Sequence, residues 1–256
     1  MIDNELLTAR QGIADSVNEL VHLQIAESKP VRHLSPPGGE NVLQLMEVPS
    51  GHQYVARAFT PDAIDNMAYR ANMSFPEAWQ EMHDIFGDAG IRVVPSHLLE
   101  TPGEHPFTVV SAYLSEGQDL IDAPTEAKVQ LAKGLANLLK PSRCLASLEM
   151  FNQGAFMVSP DENGTPTAFL VDVDPRIIPR FTVGSVDEVY IKQFGELFWD
   201  HWCRENERQE VISALVMAIS TASDPFGDDS DPFSPAARAF MDVHLMSNGV
   251  DPRVRS

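Results

Sequence analysis

Apolar residues recur at helical spacing from the start of the chain. Leu6, Leu7, Ile13, Val17, Leu20, Val21 and Ile25 predict one amphipathic helix over residues 3–26, ended by Pro30. Ser35-Pro36-Pro37-Gly38-Gly39-Glu40 reads as a loop. Asn41 to Val48 alternates as a strand does, Pro49-Ser50-Gly51-His52 turns, and Gln53 to Phe59 alternates again. The pattern predicts a hairpin, or a three-stranded meander.

Residues 61–73 then read as helical. Ser74 stands as a cap with Glu77 three positions on and Pro76 in the first turn, which predicts a helix running to Phe86 and stopping at Gly87. Ile91 to Leu99 and Phe107 to Leu114 read as strands, and Thr125 to Leu139 as a helix stopping before Pro141. Two apolar runs, Ala155 to Val158 and Ala168 to Val173, flank the turn-rich Ser159-Pro160-Asp161-Glu162-Asn163-Gly164 and predict a hairpin. Residues 185–222 are helical and aromatic-rich, 223–235 a loop, and Ala236 to Met246 a last short helix. Strands concentrate early and helices late. The predicted class is α+β, a small antiparallel sheet lobe followed by a mainly helical lobe, not a doubly wound sheet.

Charge narrows the function classes. Acidic residues outnumber basic ones 37 to 18, for a formal net charge of −19. Such a surface repels nucleic acid and anionic lipid, and no basic run offsets it, so neither direct nucleic-acid nor membrane binding is expected. The acidity serves solubility or a basic protein partner, or imitates nucleic acid. With 256 residues, 43% of them hydrophobic, the chain can fill one large core or two lobes around a cleft. Cys144 and Cys203 have no metal or disulfide spacing. The opening Met1-Ile2-Asp3-Asn4-Glu5 lacks signal-peptide character and no apolar run is long enough for a bilayer, so a cytoplasmic protein is expected.

Four segments carry candidate chemistry. Tyr54-Val55-Ala56-Arg57 puts a cation on a strand, and the helix from Pro76 offers Glu77 and Glu81 one turn apart. Thr108 to Leu120 runs from a strand through Ser111, Tyr113 and Gly117 into a polar linker. Phe169-Leu170-Val171-Asp172-Val173-Asp174-Pro175-Arg176 delivers two carboxylates just past an apolar run. Together, over about residues 30–200, these segments resemble the kinase-like fold, in particular its aminoglycoside and sugar phosphotransferase branch. The resemblance implies one two-lobed unit, with residues 1–114 as the sheet lobe and 115–256 as the helical lobe carrying a hairpin near 155–174. It places Arg57 where the family has its phosphate-holding lysine, and Glu77 or Glu81 as that cation's helix partner. It puts Ser111 and Tyr113 at the hinge that meets adenine, and Asp172 with Asp174 at the metal. ATP and magnesium are the implied ligands, and hard carboxylate oxygens suit magnesium.

The catalytic loop departs from that pattern. Over Leu148-Glu149-Met150-Phe151-Asn152-Gln153-Gly154-Ala155, Met150 falls where the base aspartate belongs and Ala155 where the metal asparagine belongs. Neither can do that chemistry. Glu149 and Asn152 are the candidate substitutes, and Pro36-Pro37-Gly38-Gly39 lacks the full phosphate-cradling glycine pattern. The reading is a pseudokinase-like or atypical nucleotide-binding regulatory protein, with an atypical active phosphotransferase as an alternative. Two further alternatives are an acidic interaction protein and a transferase holding a nucleotide-sugar diphosphate on Asp172, Asp174 and manganese. The acidic loop also carries Asp224-Pro225-Phe226 and Asp231-Pro232-Phe233, which resemble adaptor-docking tripeptides. His201 and Cys203, two apart on a helix, do not face each other and read as packing residues.

Overall fold

In the computed structural model, which describes residues 28–34, 41–100, 103–139, 144–179 and 186–222, three antiparallel strands come first. They are β1 (Lys29–His33), β2 (Asn41–Glu47) and β3 (Gln53–Phe59). The turn between β2 and β3 uses Gly51 at φ +90°, a conformation that favours glycine. The helix expected over 3–26, the loop at 35–40, and everything after residue 222, both Asp-Pro-Phe tripeptides included, lie outside the described residues.

Two capped helices follow. Helix α1 (Pro61–Ala71) starts at Thr60, whose hydroxyl accepts the Ala63 N–H at 3.3 Å, and ends at Asn72 in the left-handed region, φ +55°. Helix α2 (Phe75–Asp88) has the expected box, with the Ser74 hydroxyl taking the Glu77 N–H and the Glu77 carboxylate taking the Ser74 N–H. It runs through Gly87, which keeps a helical backbone; the left-handed glycine that follows is Gly90, φ +75°.

The single strand expected over 91–99 is two strands in two sheets, β4 (Arg92–Val93) and β5 (Ser96–Glu100). The division falls at Val94 and Pro95. Val94 donates its N–H to the Leu170 carbonyl at 3.0 Å, while the Pro95 carbonyl accepts the Ala112 N–H at 2.9 Å. Proline has no N–H with which to continue a ladder. With β6 (Phe107–Ala112) the first sheet is complete, in the order β1-β2-β3-β6-β5.

The rest of the described chain is β7 (Gln118–Asp119), α3 (Thr125–Asn137), β8 (Cys144–Ala146), β9 (Phe156–Pro160), β10 (Pro166–Leu170), β11 (Ile177–Pro179), α4 (Val186–Leu197) and α5 (Arg208–Ala222), with a π-helical turn at Phe198–Trp202. A second sheet runs β4-β10-β9-β7, with β4 parallel to β10, and β8 pairs with β11 in a ribbon. The β9–β10 hairpin turns on Asp161, whose Oδ1 accepts the Asn163 and Thr165 N–H groups, both at 2.9 Å. The strand expected over 168–173 stops at Leu170, and residues 171–176 form an irregular connection.

The architecture is α+β, with a sheet-rich N-terminal part and a mainly helical remainder. One apolar cluster extends from Phe59 to Ile219 and so underlies both parts. A smaller one, around Met46, Tyr54 and Val110, lies on the other face of the first sheet. Lys128 on α3 is fully buried; its ammonium donates to the Ile121 carbonyl at 2.9 Å and to Glu207 at 2.5 Å. Among the described residues no helix is long and apolar enough to cross a membrane.

Two predictions follow from this packing. A Cβ on Gly117 would lie 2.7 Å from Met157 Cε and 2.9 Å from the Leu114 carbonyl oxygen, whereas one on Gly87 meets nothing within 4 Å. Gly117→Ala is therefore expected to destabilise by about 1–3 kcal/mol, and Gly87→Ala to stabilise by roughly 0.5 kcal/mol through helix propensity, both read by urea unfolding. The second concerns His83 on α2, which stacks edge-on against Trp79 at 4.3 Å and lies 3.4 Å from the Ser96 hydroxyl. Burial lowers its pKa from 6.5 to about 4, with His97 adding to the shift and Asp84 opposing it. The unfolded chain then takes up a proton that the folded one refuses, so stability is full above pH 6.5 and declines toward pH 4. The loss is roughly 3 kcal/mol. Unfolding at pH 7, 5.5 and 4.5 should show that decline, and His83→Gln should flatten it.

Candidate functional site

Alternation along β3 decides where Arg57 points. Phe59, on the same face, enters the main core, and Arg57 follows it inward with its side chain only 10% exposed. A buried guanidinium needs acceptors. They arrive more than a hundred residues later: Arg57 Nη1 donates to Oδ1 of both Asp172 and Asp174. The Asp174 side chain is 6% exposed and that of Asp172 27%. The two acids converge because residues 171–176 bend after β10 ends. The Val171 N–H is held by the Ala155 carbonyl at 2.9 Å, and the Arg176 N–H returns to the Asp174 carbonyl at 2.8 Å.

One cation thus serves two anions. Burial works against the Arg57 charge, but the Asp174 and Asp172 carboxylates outweigh it and raise its pKa above the ordinary arginine value. For Asp174, burial pushes the carboxyl upward and Asp172 adds to the push; Arg57 and Arg176 oppose it only in part. The cluster holds its cation firmly and its inner carboxylate less so.

The loop before β9 borders this cluster. A 3-10 turn, Leu148–Met150, begins at Ser147. Glu149 points from it to two guanidiniums. Arg70 Nη1 donates to both of its oxygens at 2.9 Å, and Arg176 Nη1 donates to Oε2 at 3.0 Å. The hydrogen bonds from Arg70, chief among the causes, hold its pKa below the usual carboxylate value, so Glu149 is a poor proton acceptor. Asn152 lies nearer the acids: its Nδ2 is 3.5 Å from Asp172 Oδ2, and its Oδ1 takes the Gly154 N–H at 2.9 Å. Met150 and Ala155 are buried in the core. Two side chains of the helical part fix the loop's backbone. Gln193 donates to the Phe151 carbonyl at 3.3 Å, and the Trp202 indole to the Gln153 carbonyl at 3.2 Å.

The structure therefore brings together Arg57, Asp172, Asp174, Glu149 and Asn152. It does not bring a helix glutamate to Arg57. Glu77 Oε2 accepts the Ser74 N–H at 2.9 Å and the Ser74 hydroxyl at 2.7 Å, because the third helical position faces the cap. Glu81, half-buried one turn on, is also not a partner of Arg57. Ser111 is buried in β6 opposite Val55, and Tyr113, just past that strand, gives its carbonyl to the Ser115 N–H at 3.1 Å. Sequence reasoning missed Arg70, Gln193 and Trp202 as neighbours of the site; nothing local marks them. Arg176, directly after Asp-Pro, was within the segment that was read. His201 is exposed, and burial pushes the Cys203 thiol up to about 12, leaving it unreactive. Among the described residues no group of three or more His, Cys, Asp or Glu is placed to hold a metal ion.

No family model matches the chain, and no curated protein sequence does. Solved structures do. The kinase domain of maize sucrose-induced receptor kinase 1, bound to AMP-PNP, aligns at 12% identity over 88% of this chain and 96% of its own, with a TM-score of 0.44. The Rio2 kinase of Chaetomium thermophilum, in an ADP/Mg2+-phosphoaspartate complex, aligns at 11% identity over 90% and 74%, with a TM-score of 0.42. An apo pseudokinase aligns at 11% identity over 87% and 92%, with a TM-score of 0.37. At these scores the likeness carries no weight for site or function.

The Arg57 cluster has a direct test. Arg57→Met strands two acids, one fully buried, and should cost about 3–5 kcal/mol of stability. Adding Asp174→Asn to that variant should restore much of the loss. Chemical denaturation of the two proteins checks both expectations, and equal stability of Arg57→Met and the native chain would refute them.

Proposed function

We propose that this protein is a kinase-like regulatory module that binds a nucleotide with magnesium and does not carry out ordinary phosphotransfer. One observation carries the reading: Arg57, from the third strand of the sheet, lies between Asp172 and Asp174, from the connection after the hairpin. A strand cation meeting a paired-acid segment across a cleft is how nucleotide phosphates and their metal are gripped in phosphoryl-transfer sites. The sheet order β1-β2-β3-β6-β5, with two helices between β3 and β5, supports it. So does the short linker from β6 past Gly117 to α3, on which the likeness to the aminoglycoside phosphotransferase branch rests.

In this reading residues 1–114 and 115–256 are the two lobes, and the backbone at Ser111 and Tyr113 meets the adenine. Asp172 and Asp174 hold the metal. Their chemistry fits magnesium, since hard oxygens converge on one point. That point now holds the Arg57 guanidinium, which would serve the phosphates where Asp172 and Asp174 held the metal. Bound magnesium would neutralise phosphate charge. The absence of transfer follows from the loop: Met150 stands buried at the base position, and Glu149 is engaged by two arginines.

The test is the melting temperature with ATP and magnesium or manganese, beside Asp172→Ala. At a ligand concentration a hundred times Kd the midpoint should rise by roughly 5–10 °C, and the rise should need the metal and disappear in Asp172→Ala. No shift with any nucleotide would reject the nucleotide site and leave the acidic surface as the functional feature.

A further inference from the structure

The outer face of the first sheet is apolar and buried, although no described helix contributes to the cluster on it. Along β3, Arg57 and Phe59 face the main core, so Tyr54, Ala56 and Ala58 face the other way. Met46 on β2 stands in register with Tyr54, and Val110 on β6 with Ala56. An antiparallel sheet packed on one face ordinarily turns the other to water. Here Val110 is 0% exposed, Tyr54 1% and Val48, just past β2, 3%. Met46, Ala56 and Leu99 complete the cluster, and all come from the same sheet. Strand β1, at the edge, is exposed along its whole length and does not supply the cover. The Tyr54 hydroxyl is also closed off from solvent, without a hydrogen bond of ordinary geometry.

We propose that residues 13–25 of this chain dock on that face as an amphipathic helix. Three observations select this occupant. The chain arrives at the right place: Ser28, three residues after Ile25, sits beside Tyr54, where its side chain offsets part of the upward push that burial gives the phenol's pKa. The pattern is right: Ile13, Val17, Leu20, Val21 and Ile25 recur at i, i+4, i+7, i+8 and i+12, one stripe of a helix, with Asp15 and Glu19 on the opposite side. The length is right as well. Residues 13–25 at 1.5 Å each span about 20 Å, and five strands spaced about 4.8 Å apart span roughly 19 Å. Ala56 immediately precedes Arg57 on β3, so the docked segment braces, from its reverse side, the strand that carries the buried cation.

The experiment is methyl NMR on the full chain. Cross-relaxation should connect the Met46 ε-methyl and the Val110 methyls with those of Val17, Leu20 and Val21. In a mixture of labelled and unlabelled chains, isotope filtering separates contacts within one chain from contacts between two copies, and the expected contacts lie within one chain. Val17→Asp combined with Val21→Asp should shift the Met46 and Val110 methyl signals and raise several-fold the fluorescence of a dye that binds exposed apolar surface. Glu19→Lys, on the opposite side of the stripe, should do neither. Contacts found only between copies overturn the proposal and give the face to a dimer. The absence of any contact from Met46 or Val110 to residues 13–25 of the native protein overturns it as well, whatever the variants show.

Discussion

A single buried guanidinium shared by two carboxylates, one buried and one partly exposed, is the constraint around which the described part of the molecule is arranged. Neither partner is tolerable there alone. Arg57 needs acceptors that its own sheet cannot supply, since its neighbours in register are Leu43 on β2 and Val109 on β6. Asp174 needs a donor that the hairpin cannot supply. The ion cluster therefore makes the first sheet and the 171–176 connection mutually dependent. The excess of one negative charge explains why a second arginine, Arg176, is drawn to its edge.

What surrounds the cluster is a loop tied down from the helical part. The loop that borders it is pinned at two carbonyls by Gln193 and Trp202, and Met150, Phe151 and Ala155 face the core from it. The one carboxylate on that loop, Glu149, is engaged by Arg70 and Arg176.

Local signals carried the sequence reading where they sufficed and misled where tertiary pairing decided. Helix α2 was legible because Ser74, Pro76 and Glu77 write its start within four residues, and that same signal should have removed Glu77 from the candidates for Arg57, since its carboxylate was already committed to the cap. The two acids after the hairpin were legible as a pair. They do not converge by strand parity, because β10 ends at Leu170 and a bend does the work instead. The division of 91–99 was hidden: Val94 and Pro95 sit in a run that alternates acceptably, and only their partners, Leu170 and Ala112, reveal two sheets. Arg70 could not be found at all, because its significance lies in Glu149, far away along the chain.

That division has a mechanical consequence. The backbone passes between the two sheets at Val94–Pro95, where adjacent residues are claimed by opposite sides, and again along 113–117, where Gly117 is wedged against Met157 and Leu114. Two short crossings define a line, as the two knuckles of a door define its axis. Both crossings are short, so the register of β4 on β10 in the second sheet and that of β5 on β6 in the first are set by neighbouring residues of the same backbone. Those two crossings, the shared apolar core and the contact of Arg57 with Asp172 and Asp174 are what join the first sheet to the second.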